Sequence, residues 1–251
     1  MVEKKEESTA NKVVIVTGGS RGIGKSIVMS LATQGYSVVM NYNKSQKEAE
    51  DIKNSLMDKG HIIEIFKADV SKKEEVEKLV EFTLNKFGKV DILVNNAGIY
   101  KFNLIQDISE NEWDEIIDTN LKSVFLCSQA VIKYMLKRKE GCIINISSID
   151  GQKGAAGEVH YVASKAGIDG ITKGLARELG PSNIRVNSIA PGAIKTDINK
   201  DVTDEDWKVV IEETPLMRIG RTEDIANCVK WLIDDNFTTG QVISVNGGWN
   251  I

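Results

Sequence analysis

The sequence predicts a doubly wound α/β domain built on a seven-stranded, all-parallel sheet. Three observations predict it. Short Val/Ile-rich runs alternate with helical patterns along the chain, and continuous apolar strands of that kind are covered on both faces. The first run leads straight into a glycine-rich turn and then a helix. The chain's 251 residues suffice for one large α/β domain with a sizeable core.

The expected strands are Val13–Thr17, Ser37–Asn41, Ile62–Ala68, Val90–Asn96, Gly141–Ser147, Ile184–Ala190 and Gln241–Val245. Apolar residues at three- and four-residue spacing predict helices over Ile23–Thr33, Lys72–Lys86, Glu112–Lys137, Val159–Leu179 and Glu223–Ile233. Gly35, Gly60, Gly88 and the pair Gly180-Pro181 close several of these units. No repeat, low-complexity tract or linker interrupts them. Residues 1–11 read as a flexible, solvated tail ahead of one domain over residues 12–251.

Composition removes several classes. A net charge of −4 argues against a nucleic-acid protein, which needs a basic surface. No apolar run nears the roughly 20 residues of a membrane span, and the polar N-terminus has no signal-peptide core. Cys127, Cys142 and Cys228 are widely spaced, form no CxxC pair, and accompany only two histidines. No metal site is expected, and unpaired thiols suggest a reducing, cytoplasmic compartment.

The turn reads Thr17-Gly18-Gly19-Ser20-Arg21-Gly22-Ile23-Gly24. Its glycines let the backbone approach a pyrophosphate, and the helix N-terminus that follows favours an anion. The spacing is Gly-x3-Gly-x-Gly rather than GxGxxG. The second strand ends Asn41-Tyr42-Asn43-Lys44, without the carboxylate that would bind an NAD ribose. Arg21, a multidentate cation, suits the NADP 2′-phosphate; Lys44 is a weaker phosphate contact or a solvated loop lysine.

Tyr161 and Lys165 are four apart on an expected helix, hence on one face. A phenol titrates near pH ~10, and the spacing predicts that the Lys165 ammonium lowers that value and makes Tyr161 an acid/base. Ser148 ends the fifth strand, where its hydroxyl can meet a substrate carbonyl oxygen. Ser147 points to the other face. Asn120 lies within a helix it does little to favour.

Taken together, Thr17–Gly24, Asn95-Asn96-Ala97-Gly98, Ser148, Tyr161-Val-Ala-Ser-Lys165, Pro191-Gly192 and Val245-Asn246-Gly247-Gly248 resemble the short-chain dehydrogenase/reductase family. The resemblance runs from about Lys12 to Trp249, and the look is that of its 3-oxoacyl-acyl-carrier-protein reductases. It implies a Rossmann fold that binds NADP(H), with Tyr42 standing where NAD-specific relatives carry Asp. Asp69 and Val70 would touch the adenine, although Asp69 also reads as a helix N-cap. Asn96, Ala97 and Gly98 would pass close to the cofactor, and Pro191, Gly192, Ile194 and Thr196 would pin its carboxamide. Gly18, Ser20, Arg21, Gly22, Ile23, Gly24, Asn43 and Lys44 complete the cofactor set. Tyr161 would protonate the developing alkoxide, Ser148 would stabilise it, and Lys165 would also bind the nicotinamide ribose. Asn120 would hold a water linking Lys165 to solvent.

The same resemblance implies a homotetramer joined through the two long helices. It favours a 3-oxoacyl thioester substrate on acyl carrier protein or coenzyme A. An acidic carrier needs a basic patch near the cleft. Lys137-Arg138-Lys139 supplies the cations, unless they only cap a helix C-terminus, while Ser182 replaces a second docking Arg. Substrate specificity is expected from residues 150–160 and from 195–215, the latter with a short helix around Asp204–Glu213. An alternative resemblance, to glucose 1-dehydrogenases, rests on Val159-His160-Tyr161, Pro191–Ile194 and Ile198-Asn199, with His160 a candidate sugar contact or a residue that caps or packs locally. A catalytically silent NADP-binding regulator is the third reading, and it has no use for Ser148, Tyr161 and Lys165 together.

Overall fold

The computed structural model describes residues 12–196, 199 and 202–251. The expected tail and Ile198 lie outside the described residues. Seven strands form one parallel sheet: β1 Val13–Val16, β2 Ser37–Tyr42, β3 Ile63–Lys67, β4 Ile92–Asn95, β5 Gly141–Ile146, β6 Ile184–Pro191 and β7 Val242–Val245. Their order is β3-β2-β1-β4-β5-β6-β7, with every neighbour parallel. The winding reverses between β1 and β4, and open α/β sheets bind ligands beyond the strand C-termini at such a switch point.

Alternation along the strands builds two cores. In β1, Val14 and Val16 face one layer and Ile15 the other. The first layer holds α1 Gly22–Thr33, α2 Gln46–Met57 and α9 Thr222–Asp234, packed through Ile27, Leu31, Leu56, Val229 and Leu232. The second holds α3 Lys73–Phe87, α5 Ser123–Arg138 and α7 Val159–Leu179, packed through Leu79, Val131, Met135 and Leu179. Because both faces are covered, β1 and β2 are buried at every residue.

Three further helices frame the strand C-termini: α4 Glu110–Ile117, α6 Asp150–Lys153 and α8 Asp204–Glu213. The Ser109 hydroxyl caps α4 by accepting from Glu112 N, and Thr203 with Asp206 forms a capping box on α8. The expected single helix over Glu112–Lys137 is instead α4 and α5 joined by a π-helical turn, Asp118–Lys122. Helix α2 was not expected: its sequence is highly charged and offers only Ala49, Ile52 and Leu56 to the core. No helix among the described residues is long and apolar enough to cross a membrane.

Candidate active site

At the switch point lies a cleft of about 670 Å³. Its wall takes Gly18, Ser20, Arg21, Gly22, Ile23 and Gly24 from the β1–α1 turn, and Tyr42, Asn43 and Lys44 from the end of β2. Asp69 and Val70 follow β3, while Asn96, Ala97 and Gly98 follow β4. Ser148, Tyr161 and Lys165 line it from β5 and α7, and Pro191, Gly192, Ile194 and Thr196 from β6 onward.

The turn is braced from both sides. Thr17 Oγ1 accepts from the N–H groups of Asn96 and Ala97, 3.0 Å each. Asn96 Nδ2 donates to the carbonyls of Thr17 and Gly18. Buried Asn41, which sequence reasoning missed, accepts from Gly18 N at 3.2 Å and donates to Ala68 O at 3.0 Å. Gly18 has φ +61°, and a Cβ there would lie 2.9 Å from Ala97 Cα. Helix α1 starts with no side-chain cap and no acid in its first turn. Its N–H groups therefore face the cleft without a competing anion. Exposed Arg21 and Lys44 add positive charge. A Cβ on Gly98 would intrude 3.3 Å from Asn120 Oδ1 and 3.7 Å from Lys165 Nζ. Glycine-lined floor, uncapped helix end and flanking cations fit a dinucleotide phosphate.

Asp69 does not cap α3, whose N-cap is Lys72. Its Oδ1 accepts from both N and Oγ of Ser71, and its own N–H donates to Glu75. It closes a turn beside the cleft.

Tyr161 and Lys165 share a face of α7, as their spacing requires. Lys165 is buried, and its Nζ donates to Ile146 O at 3.0 Å while standing 5.4 Å from the Tyr161 ring centroid. Burial pushes Lys165 down to about 8, against the opposing pull of Asp169 and Asp150. The expectation that Lys165 lowers the Tyr161 phenol is corrected here. Burial, then Asp150, pushes that phenol well above its ordinary value; the neighbouring Ser148 opposes and Glu158 adds to the rise. The Ser148 hydroxyl donates to Asp150 Oδ2 at 2.9 Å. Ser147 points the other way, donating to Lys165 O. Asn120 does not line the cleft. Fully buried in the π turn, it accepts from Ile99 N at 2.8 Å and donates to Ile99 O and Ser164 Oγ. No direct hydrogen bond joins it to Lys165.

Residues 12–207 match the sequence model of the short chain dehydrogenase family. The chain belongs to that family. It is 46% identical over 240 residues to the 3-oxoacyl-[acyl-carrier-protein] reductase FabG of Staphylococcus epidermidis, covering 95% of this chain and 98% of the relative. The Staphylococcus aureus FabG is 44% identical over 239 residues, covering 94% and 97%. The 3-oxoacyl-[acyl-carrier-protein] reductase of Synechocystis is 40% identical over 240 residues, covering 94% and 96%. The crystal structure of gox2181 superposes with a TM-score of 0.91 at 32% identity, covering 96% of each chain. This short-chain dehydrogenase is thus an oxidoreductase acting on CH–OH groups.

Three further residues shape its cleft and were not singled out from sequence. Asp150 follows Ser148 by two positions, and Glu158 precedes Tyr161 by three. Tyr100 donates its hydroxyl to Glu158 Oε1 at 2.8 Å, and its ring meets that of Tyr161 edge-on at 5.3 Å. Acidic residues this close to Ser148 and Tyr161 were the available signal. From residues 195–215, Asn199, Val202, Trp207 and Val210 line the cleft.

On the dehydrogenase's substrate side, two pairs of alternatives each resolve to the local reading. His160 is fully buried and its Nε2 lies 3.1 Å from Glu112 Oε1. It turns away from the cleft and meets no substrate there. The Lys137–Lys139 cluster sits at the opposite end of the sheet. Arg138 holds Val90 O and Asp91 at the start of β4, and Lys139 is the left-handed C-cap of α5, just before β5. Six residues of β5 separate it from Ser148's end, roughly 20 Å of strand. Within this chain the cluster serves a helix C-terminus.

Proposed function

We propose that this enzyme is an NADPH-dependent reductase of 3-oxoacyl thioesters carried on acyl carrier protein or coenzyme A. The observation that carries the reading is 46% identity over 95% of the chain to a carrier-protein reductase. One domain over residues 12–251 does the chemistry. NADPH, when bound, supplies the hydride that reaches the substrate's C3 carbonyl carbon. Arg21 and Lys44 hold the 2′-phosphate, and the N-terminus of α1 holds the pyrophosphate. Lys165 orients the nicotinamide ribose, and the segment from Pro191 to Thr196 fixes the carboxamide. The Ser148 hydroxyl turns from Asp150 to the carbonyl oxygen, and Tyr161 delivers its proton to that oxygen as negative charge develops. Asn120 fixes the backbone at Ile99 and, through a water, links Lys165 to solvent. A silent regulator has no need of Ser148, Tyr161 and Lys165 on one cleft.

We also assign the working form to a cytoplasmic homotetramer. Unpaired cysteines support the compartment. Exposed Phe125 and Leu136 on α5 and Val159 on α7 support the interface.

Two outcomes test this reading. Arg21→Ala is expected to weaken NADPH at least about tenfold while leaving NADH nearly unchanged, because only NADPH carries the phosphate that a charged donor stabilises. Fluorescence titration checks it; tighter NADH than NADPH binding by the unmodified protein sinks the cofactor assignment. Steady-state assays on one enzyme stock should show acetoacetyl thioester reduction and negligible glucose oxidation. Rapid glucose oxidation without thioester reduction replaces the substrate assignment with the sugar reading.

A further inference from the structure

The segment that follows β7 reaches the cleft, and the steps above give it no part. Its Trp249 lines the cleft together with Ser148, Tyr161, Trp207 and Val210. The segment is held from two sides. On one, Gln152 of α6 accepts from Ser244 of β7 at 3.1 Å and from Asn250 at 3.2 Å. On the other, Leu216 N donates to Gly247 O at 3.1 Å, and a Cβ on Gly248 would lie 2.9 Å from Pro215 Cγ. The turn is thus wedged between α6 and the exit of α8.

The indole itself is clamped. Lys153 Nζ stands over the Trp249 ring, 3.9 Å from its centroid, and Trp249 Nε1 donates to Glu213 Oε2 at 3.0 Å. Neither Lys153 nor Glu213 lines the cleft. Glu213 is the last residue of α8, an end where the helix dipole disfavours a carboxylate, and no basic residue in that turn offsets it. Helix stability therefore gives no reason for this acid, whereas the indole does. An indole has one donor and no acceptor. With that donor spent on Glu213 and one face under Lys153, Trp249 can offer the cleft only apolar carbon.

We propose that Trp249 is the residue that selects for the acyl chain: Glu213 and Lys153 clamp the indole so that its apolar surface packs against the substrate carbons beyond the C3 carbonyl. The proposal rests on the 3-oxoacyl thioester reading and narrows it to substrates with an alkyl chain to bury. Trp207 and Val210 line the same cleft and extend the apolar surface. Each methylene group buried there adds affinity, while a sugar hydroxyl finds no partner on the indole. Contact of this kind is made equally in the ground and transition states, so it lowers KM and leaves kcat unchanged.

Acetoacetyl-CoA and 3-oxooctanoyl-CoA, assayed with NADPH, are the probes. The unmodified enzyme should show a KM at least about tenfold lower for the longer thioester, the gain from burying additional methylene groups. Trp249→Ala should lose most of that difference, with kcat and NADPH affinity within about twofold of the unmodified enzyme. Trp249→Phe and Glu213→Ala should each lose part of it. Combined, they should lose little more than Trp249→Phe alone, because both break the same hydrogen bond. Glu213→Gln keeps an acceptor and should behave as the unmodified enzyme does. Glu213 is exposed, so Glu213→Ala keeps the test available whatever Trp249→Ala does to folding. Contact is read directly by replacing the four tryptophans with fluorotryptophan, Trp249→Phe assigning the fluorine NMR signal. Adding 3-oxooctanoyl-CoA should shift that signal beyond its position with NADP+ alone. A chain-length preference that survives Trp249→Ala, or a Trp249 signal that the thioester leaves in place, overturns the proposal. So does a KM increase matched by an equal loss of NADPH affinity, which marks a general disturbance of the cleft. If neither thioester binds or is reduced, the thioester reading fails instead. The Trp249 signal, followed with methyl ketones of rising chain length, then still decides whether the indole seats an alkyl chain.

Discussion

Tyr161→Phe is expected to lower thioester reduction by at least about 10²-fold, the scale on which a positioned general acid contributes. Fold and NADPH affinity should stay close to those of the unmodified enzyme. The phenyl ring keeps its edge-on contact with Tyr100, so packing at the start of α7 survives. Only the hydroxyl beside Ser148 is lost. That hydroxyl holds its proton well above neutral pH because burial and Asp150 both disfavour the phenolate. Reduction by the unmodified enzyme should therefore be flat through neutral pH and fall only in alkali. Stopped-flow NADPH oxidation across pH, alongside a binding titration, makes the measurement. A variant turning over at near-normal rate ends the role given to Tyr161.

Much of this was legible in the chain because local chemistry and topology agree. Val14 and Val16 against Ile15 already specify a strand covered on two faces. The glycines from Gly18 to Gly24 following it specify a turn that must come close to something. Once the strands are ordered, residues as distant as Lys44, Asn96 and Pro191 meet at one switch point. What could not be read were properties set by surroundings rather than by spacing. Four residues between Tyr161 and Lys165 predict proximity, yet they do not predict that Lys165 Nζ will bind Ile146 O. The apolar periodicity of α4 runs smoothly into α5, so the π turn at Asp118–Lys122 leaves no gap in the pattern; only the inward aim of buried Asn120 reveals it. The basic cluster Lys137–Lys139 is different. A helix that feeds β5 must end at the sheet's N-terminal edge, so Lys137–Lys139 could have been set away from the cleft by topology alone. Asp150 and Glu158 lay in the segment expected to carry specificity, but their effect on Tyr161 emerges only when α6 and α7 pack together.

Gly24→Ala should damage cofactor binding more than loss of the phosphate cation Arg21. A Cβ at Gly24 would lie 2.3 Å from Gly18 O and 2.5 Å from Asn96 Nδ2. Those two atoms already bond to one another at 3.0 Å, so the methyl group lands within an existing contact. Neither partner can step aside alone. Gly18 stands against Ala97, and Asn96 also holds Thr17 O. The whole turn must shift relative to β4, or α1 must slide along the sheet. Overpacking of this kind costs about 1–3 kcal/mol, which corresponds to a melting temperature lower by roughly 2–10 °C for a chain of this size. The larger effect is on geometry. Displacing the helix N-terminus by about 1 Å from the phosphate should weaken NADPH on the order of 10²-fold, the penalty such misplacements carry in positioned sites. Gly174→Ala is the control, since its Cβ would meet nothing within 4 Å on helix α7, where alanine is the better helix former. Calorimetry and NADPH titration on the two variants should separate them, with only Gly24→Ala losing affinity. If Gly24→Ala bound NADPH as tightly as Gly174→Ala, the β1–α1 turn would not be the phosphate cradle, and the uncapped end of α1 would need another explanation.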